Sequence, residues 1–155
     1  MEVAVSRLQL ALNVSNLEEA VTFYSRFFKT EPAKIRQGYA NFAIQDPPLK
    51  LVLFENPDAA GSINHLGVEV FSTDEVIDAT KYLAEQGFVT EIEEQTTCCF
   101  AVQNKVWVDG PDASRWEVYT VLADADQADS SGDDQLCCTP EAVTDSSKPA
   151  AAACC

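Results

Sequence analysis

Positive charge is scarce in this chain. Ten Lys and Arg residues stand against 25 Asp and Glu, a formal net charge of -15, so the electrostatic footprint of a protein that binds DNA, RNA or an anionic membrane is absent. Long apolar runs are missing too, and nothing in the sequence is long enough to span a bilayer. Met1 to Arg7 lacks the positive segment followed by an apolar stretch that marks a secretory peptide. The expected location is therefore cytoplasmic, with no nucleic-acid and no membrane partner. Histidine occurs once, as His65, so any imidazole chemistry rests on that side chain.

What is present is unusual in its spacing. Six cysteines form three adjacent pairs, Cys98 with Cys99, Cys137 with Cys138 and Cys154 with Cys155. In a reducing compartment such pairs are more naturally dithiols than structural bridges, because a disulfide between sequence neighbours needs a strained turn. A chain of 155 residues can bury a core without such staples. Chance is the plain alternative for the two tail pairs.

Alternation of apolar and polar residues begins at Arg7. Leu8, Leu10, Leu12 and Val14 share one face of a predicted strand, and Gln9, Ala11 and Asn13 the other. A capping signal at Ser15-Asn16-Leu17-Glu18-Glu19 precedes Leu17, Ala20, Val21, Tyr24, Phe27 and Phe28 at helical spacing. Strands are expected around 33–36, at Tyr39 to Ile44 and at Leu49 to Glu55, the last two separated by the Asp46-Pro47-Pro48 turn. Residues 64–70 then repeat the pattern of residues 8–14 at an offset of 56, so that Leu10 meets Leu66, Leu12 meets Val68, and Gln9 meets His65. Ser72 to Glu75 caps a second helix that Gly87 stops, and strands are predicted at Phe88 to Ile92, Phe100 to Gln103 and Trp116 to Leu122.

The fold expectation is α+β: two paired βαβββ modules, about 7–55 and 64–122, forming a cupped mixed sheet with helices on the outer face. Neither half has helix enough to cover a broad sheet on both sides, so the cupped surface is left for a pocket. A ferredoxin-like fold built on the same repeat is the competitor. Residues 123–155 carry seven acids, one base and little apolar area, which predicts a disordered acidic tail beyond the 1–122 domain.

Gln9 and His65 occupy matching positions in the two repeats, each on the face opposite the branched core residues. Glu117 is a third polar residue inside an apolar strand. Together the three could bind a divalent metal through amide oxygen, imidazole and carboxylate, a variant of the facial triad of non-haem Fe(II) oxygenases. Mn(II), Co(II), Ni(II) and Zn(II) suit the same donors, and each residue also has a bland reading: a structural histidine, a solvent-facing glutamine, an edge charge. Aligning residues 50–53 with 116–119 makes apolar Leu51 the counterpart of Glu117, which leaves three ligands instead of four.

Cys98 and Cys99 would point to opposite faces of a regular strand, so gripping one atom requires a local turn or bulge. Trivalent arsenic is soft and favours sulfur; a monosubstituted organoarsenical can exchange two oxygen ligands for two thiolates and keep its carbon substituent. Packed thiols, a redox pair or a simple metal trap are the alternatives, and the lack of another Cys or His nearby counts against a conventional four-ligand structural zinc site. Phe100, Lys105, Trp107 and Tyr119 are candidate pocket residues, Lys105 to offset negative charge and the aromatics to shield or simply to pack.

Over residues 7–122 the sequence resembles the organoarsenical carbon–arsenic lyase branch of the vicinal-oxygen-chelate (glyoxalase/bleomycin-resistance/dioxygenase) superfamily, which is related to cadmium-induced proteins. The resemblance is carried by residues 38–42, 48–53, 64–69 and 105–108, and above all by Cys98-Cys99 and Trp116-Glu117-Val118-Tyr119. It implies Fe(II) on Gln9, His65 and Glu117, and trivalent arsenic on Cys98 and Cys99. Phe100 departs from the tyrosine associated with that segment. The implied activity is oxygen-dependent cleavage of the carbon–arsenic bond of methylarsenite or a reduced aromatic arsenical, releasing arsenite, by a monomer or homodimer. Cys137, Cys138, Cys154 and Cys155 resemble family tails that could capture arsenicals. A glyoxalase-like isomerase would need a general base and no dithiol; an extradiol dioxygenase sits badly with Gln9; a bleomycin-like binder needs no metal triad. An arsenical- or cadmium-sequestering protein without turnover is the main nonenzymatic alternative.

Overall fold

The computed structural model describes residues 4–111 and 114–125. The tail pairs at Cys137, Cys138, Cys154 and Cys155 lie outside the described residues, as does nearly all of the predicted disordered segment. Among the described residues, eight strands and two α-helices follow the order β1 (Arg7–Val14), α1 (Leu17–Phe28), β2 (Lys34–Arg36), β3 (Tyr39–Ile44), β4 (Leu49–Glu55), β5 (Ile63–Glu69), α2 (Thr73–Glu85), β6 (Thr90–Cys98), β7 (Ala101–Asp109) and β8 (Arg115–Asp124). All eight strands join one mixed sheet in the order β2-β3-β4-β1-β5-β8-β7-β6. Each half contributes four neighbouring strands, and the halves meet where β1 runs antiparallel to β5. Both modules of the expected pair thus belong to one chain, and the sheet curls into a half-barrel.

Local chemistry explains the element boundaries. The Asn16 side chain accepts from the Glu19 amide at 3.0 Å and caps α1, while Glu55 Oε2 accepts from the Leu17 amide at 2.8 Å and ties the helix start to β4. For α2, Ser72 Oγ accepts from the Glu75 amide (3.3 Å) and donates to Glu75 Oε2 (2.9 Å), a reciprocal cap. Gly87, at φ +82, ends the helix.

Period-2 alternation sorts the sheet faces. The convex face is apolar: Leu10, Leu12, Phe42, Leu51 and Leu53 pack under α1, and Val68, Val106 and Val118 join Val76 of α2. The concave face carries Gln9, Asn41, His65, Gln103, Lys105 and Glu117, all buried. Curling of the sheet buries this polar face more deeply than the helices bury Leu10 and Leu12.

The last hairpin departs from expectation. The strand predicted at Phe88 to Ile92 starts at Thr90 and runs to Cys98, and the one predicted at Phe100 to Gln103 runs from Ala101 to Asp109. Pairing of Cys98 with Ala101 leaves a two-residue connection, Cys99-Phe100, with φ 49 and 64, the positive values that tight hairpin turns require. Residues 93–97 are polar enough to read as loop, but they form an edge strand, where charge discourages edge-to-edge pairing. A bulge between Glu93 and Thr96 is fixed by Asn104 Oδ1, which accepts from the Gln95 amide at 2.7 Å.

Candidate active site

Gln9, His65 and Glu117 come from three adjacent strands and meet on the concave face. Gln9 Nε2 lies 2.8 Å from His65 Nε2 and donates to Glu117 Oε1 at 2.8 Å, and His65 Nε2 is 3.4 Å from that same oxygen. All three are buried, at 3, 2 and 1% exposure. Among the described residues no three His, Cys, Asp or Glu side chains cluster; the third donor here is an amide.

The backbone makes this convergence by leaving space. In the β1–β5 register Gln9 faces Gly67 and His65 faces Ala11, and Gly67 also faces Glu117 across β5 and β8. A Cβ on Gly67 would lie 2.8 Å from Glu117 Cγ and 3.5 Å from Gln9 Cβ. Ala11 and Gly67 are themselves partners at the 56-residue offset. Each half therefore supplies one long donor and, two residues later, a small residue that admits the donor of the other half. The sequence contains the signal, since a glycine inside a strand marks close backbone approach, but the expectation treated Gly67 only as part of a resembling segment.

The register also corrects the alignment of the halves. Val52 faces Ala11, the counterpart of Gly67, so the first-half counterpart of Glu117 is Val52 and not Leu51. The counterpart is still apolar. Leu51 packs on the convex side, and Glu55 is engaged at the start of α1.

Second partners orient His65 and Glu117. Asn64 Oδ1 accepts from His65 Nδ1 at 2.7 Å, and Asn64 Nδ2 donates to Asn13 Oδ1 at 3.1 Å, which fixes the amide and leaves the His65 Nε2 lone pair facing Gln9 and Glu117. The Trp107 ring meets His65 edge to face at 5.4 Å. Lys105, fully buried, places Nζ 3.0 Å from Glu117 Oε2 and 5.2 Å over the Trp107 ring. Burial alone would push the Glu117 carboxyl up; the Lys105 ammonium and His65 outweigh it and hold it at about 2. Tyr119 goes the other way: burial, reinforced by Glu69 and Glu117, keeps its phenol protonated well above its ordinary range.

Beside the triad lies a cavity of about 250 Å³, to which Gln9, Glu117, Tyr119 and Cys99 all contribute. The Cys99-Phe100 turn brings Cys98 Sγ and Cys99 Sγ to 4.0 Å, where a regular strand would set the two side chains on opposite faces. The turn rests on the other half of the molecule. Lys34 Nζ donates to the Phe100 carbonyl at 2.9 Å and to Asp124 Oδ1 at 2.5 Å, and the Phe100 ring packs against Tyr39 at 5.5 Å. Of the predicted pocket residues, Tyr119 lines the cavity, Lys105 and Trp107 stand behind Glu117 and His65, and Phe100 braces the turn. Lys50, Asn41 and Gln103 also line the cavity and were not anticipated. Burial lowers the Lys50 ammonium, partly opposed by Glu69 and aided by Arg7.

A cupped sheet of two βαβββ halves, with buried polar residues converging on its concave face across the seam, defines an α+β scaffold with a polar pocket. The profile of the Glyoxalase/Bleomycin resistance protein/Dioxygenase superfamily matches residues 7–118, and the chain belongs to that superfamily. It is 58% identical over 142 residues to the cadmium-induced protein CadI of Mycobacterium tuberculosis, covering 86% of this chain and 93% of that one. It is 50% identical over 152 residues to a trivalent organoarsenical cleaving enzyme of Thermomonospora curvata, covering 97% of this chain and all (100%) of the relative. Among solved structures, an extradiol ring-cleaving dioxygenase from B. fuscum superposes with a TM-score of 0.57 at 18% identity, over 77% of this chain and 34% of that one; this likeness concerns the fold. No helix among the described residues is long and apolar enough to cross a membrane.

Proposed function

We propose that this protein is an Fe(II)- and oxygen-dependent enzyme that cleaves the carbon–arsenic bond of trivalent organoarsenicals. The observation that carries the reading is one cavity bounded by Gln9 and Glu117 on one side and Cys99 on another. Similarity to relatives named as trivalent organoarsenical cleaving enzymes, at 34 to 50% identity, supports the same assignment.

The three donors fit a metal ion. With Gln9 Oε1 in the position now held by Nε2, the three ligand atoms would stand 2.8, 2.8 and 3.4 Å apart, close to the roughly 3 Å expected of ligands about 2.1 Å from one ion. In the structure the Gln9 amide nitrogen fills the role of a cation, joining the His65 lone pair to the Glu117 carboxylate. Turning that amide over presents Oε1, and a neutral imidazole, a carboxylate and an amide oxygen suit Fe(II). When bound, iron supplies the electron-transfer chemistry that lets molecular oxygen react with the substrate.

The rest is work for the protein's own side chains. Asn64 keeps the proton on His65 Nδ1, and Lys105 engages Glu117 Oε2, so that Oε1 alone faces the site. Cys98 and Cys99 hold arsenic through two sulfur bonds, which turns its carbon substituent toward the cavity and orients the reacting bond. For methylarsenite the overall change balances without a further reductant: methylarsenite and one oxygen molecule give arsenite and formaldehyde.

The test is anaerobic loading with Fe(II), then oxygen and methylarsenite, with arsenite and formaldehyde quantified against an iron-free control. Equal amounts of both products, dependent on iron and oxygen, are expected. Tight methylarsenite binding with no arsenite release from iron-loaded, reduced protein would establish sequestration instead.

A further inference from the structure

The solvent side of α1 carries aromatic rings. Phe23 and Phe27 are 58% and 67% exposed, and their rings stack at 5.8 Å with 15° between the planes. Each also meets a ring of the inward side edge to face, Phe23 with Tyr24 at 5.0 Å and Phe27 with Phe28 at 4.9 Å, so the exposed pair is braced by side chains that pack on the sheet. The fold does not require such a surface. At the 56-residue offset the counterparts of Phe23 and Phe27 are Ala79 and Leu83, both partly buried, and α2 turns Asp74, Asp78, Lys81 and Glu85 to solvent. Adjacent phenylalanine rings left in water are a cost that a docking partner removes.

The charges around the rings identify that partner. Glu19, Phe23, Arg26 and Phe27 recur at i, i+4, i+7 and i+8 and share one face of the helix, acidic in its first turn and basic in its last. Neither Glu19 nor Arg26 makes an ion pair with a described residue. Four of the chain's ten bases, Arg26, Lys29, Lys34 and Arg36, fall in one stretch that holds a single acid, Glu31, so a molecule of net charge -15 can accept an acidic surface here. A face with an acid at one end, a base at the other and rings between them is complementary to itself turned round.

We propose that α1 is the interface of a homodimer. A two-fold axis through the middle of the helix runs the two copies antiparallel, sets Glu19 of each against Arg26 of the other, and closes the Phe23 and Phe27 rings between them. A helix of 12 residues is about 18 Å long, so the contact lies at the small end of specific interfaces and a dissociation constant on the order of micromolar is expected. The concave face and its cavity lie on the other side of the sheet, so the dimer leaves them open.

The test is sedimentation velocity of full-length, reduced protein from about 1 to about 100 μM, a range that brackets such a constant. The unmodified protein is expected to shift from one chain to two, and Phe23→Ser combined with Phe27→Ser to remain a single chain throughout. Glu19→Arg and Arg26→Glu, each alone, place like charges at both contacts and should weaken association roughly tenfold or more. An equimolar mixture of those two variants restores opposite charges at both contacts and should associate as the unmodified protein does. A monomer at every concentration, a dimer that survives loss of both rings, or a mixture no more associated than its components would overturn the interface. If the ring variant does not fold, the charge variants and their mixture decide.

Discussion

At Gly67 the absence of a side chain does as much as the presence of one at Gln9. Gly67→Ala places a methyl group 2.8 Å from Glu117 Cγ and 2.9 Å from its carbonyl oxygen, and neither β5 nor β8 can retreat without breaking its ladder. Overpacking of this kind costs about 1–3 kcal/mol, and the donors are forced apart. We expect a lower melting temperature and at least a tenfold loss of Fe(II) affinity, read by equilibrium dialysis under anaerobic conditions. Lys105 offers a complementary case, because its ammonium neutralises a carboxylate that is only 1% exposed. Lys105→Met strands a buried charge, for an expected loss of about 3 kcal/mol and a fall in melting temperature of roughly 6–12 °C. Adding Glu117→Gln removes the stranded charge, so the double variant should melt above Lys105→Met; a lower value would show that the pair does not act as argued.

Among elements, the β6–β7 hairpin is the one whose geometry depends on a distant strand. Its turn places Cys99 and Phe100 at positive φ without glycine, a conformation that persists only where surroundings hold it. Lys34 on β2 and the Tyr39 ring on β3 provide that hold. Lys34→Ala should loosen the turn, seen as faster amide hydrogen exchange at residues 98–101 with exchange in β1 and β5 unchanged; uniform exchange changes would point to global destabilisation instead. This hairpin was also the least legible part of the sequence. Arg7 to Val14 alternates cleanly and Asn16 and Pro47-Pro48 punctuate the first half, whereas Glu93-Glu94-Gln95-Thr96-Thr97 shows no apolar face because an edge strand needs little. Gln9, His65 and Glu117 were legible because a repeat and an apolar context make a polar residue conspicuous. Asn41, Lys50 and Gln103 sit equally on the concave phase of their strands, yet nothing local distinguishes a cavity wall from a wet surface until the sheet curls. Asn64 was hidden for a similar reason, since its service to His65 is a matter of side-chain direction.

Across the whole molecule, the three donors straddle the seam between halves, so binding one ion clamps β1, β5 and β8 together. Unfolding is expected as a single transition in which Fe(II) at 100 times its dissociation constant adds about 2.7 kcal/mol. Anaerobic calorimetry should show that transition rising with iron, and Gln9→Ala should diminish the rise. Two transitions, with only one responding to iron, would mean that the halves fold independently. The net charge of -15 belongs to this scale as well: free inorganic anions are repelled, whereas an uncharged trivalent arsenical approaches without an electrostatic barrier.

The register that sets Val52 where Glu117 has its counterpart gives the molecule a broken symmetry. A perfectly duplicated sheet would aim four donors at one point and enclose whatever ion they found there, in the manner of a structural cage. Here one corner of the square is a hydrocarbon. Val52 also lines the cavity, so the corner that lacks a donor is a wall of the reaction vessel: where the repeat departs from itself, a buried hydrocarbon stands beside the donors in place of a fourth ligand.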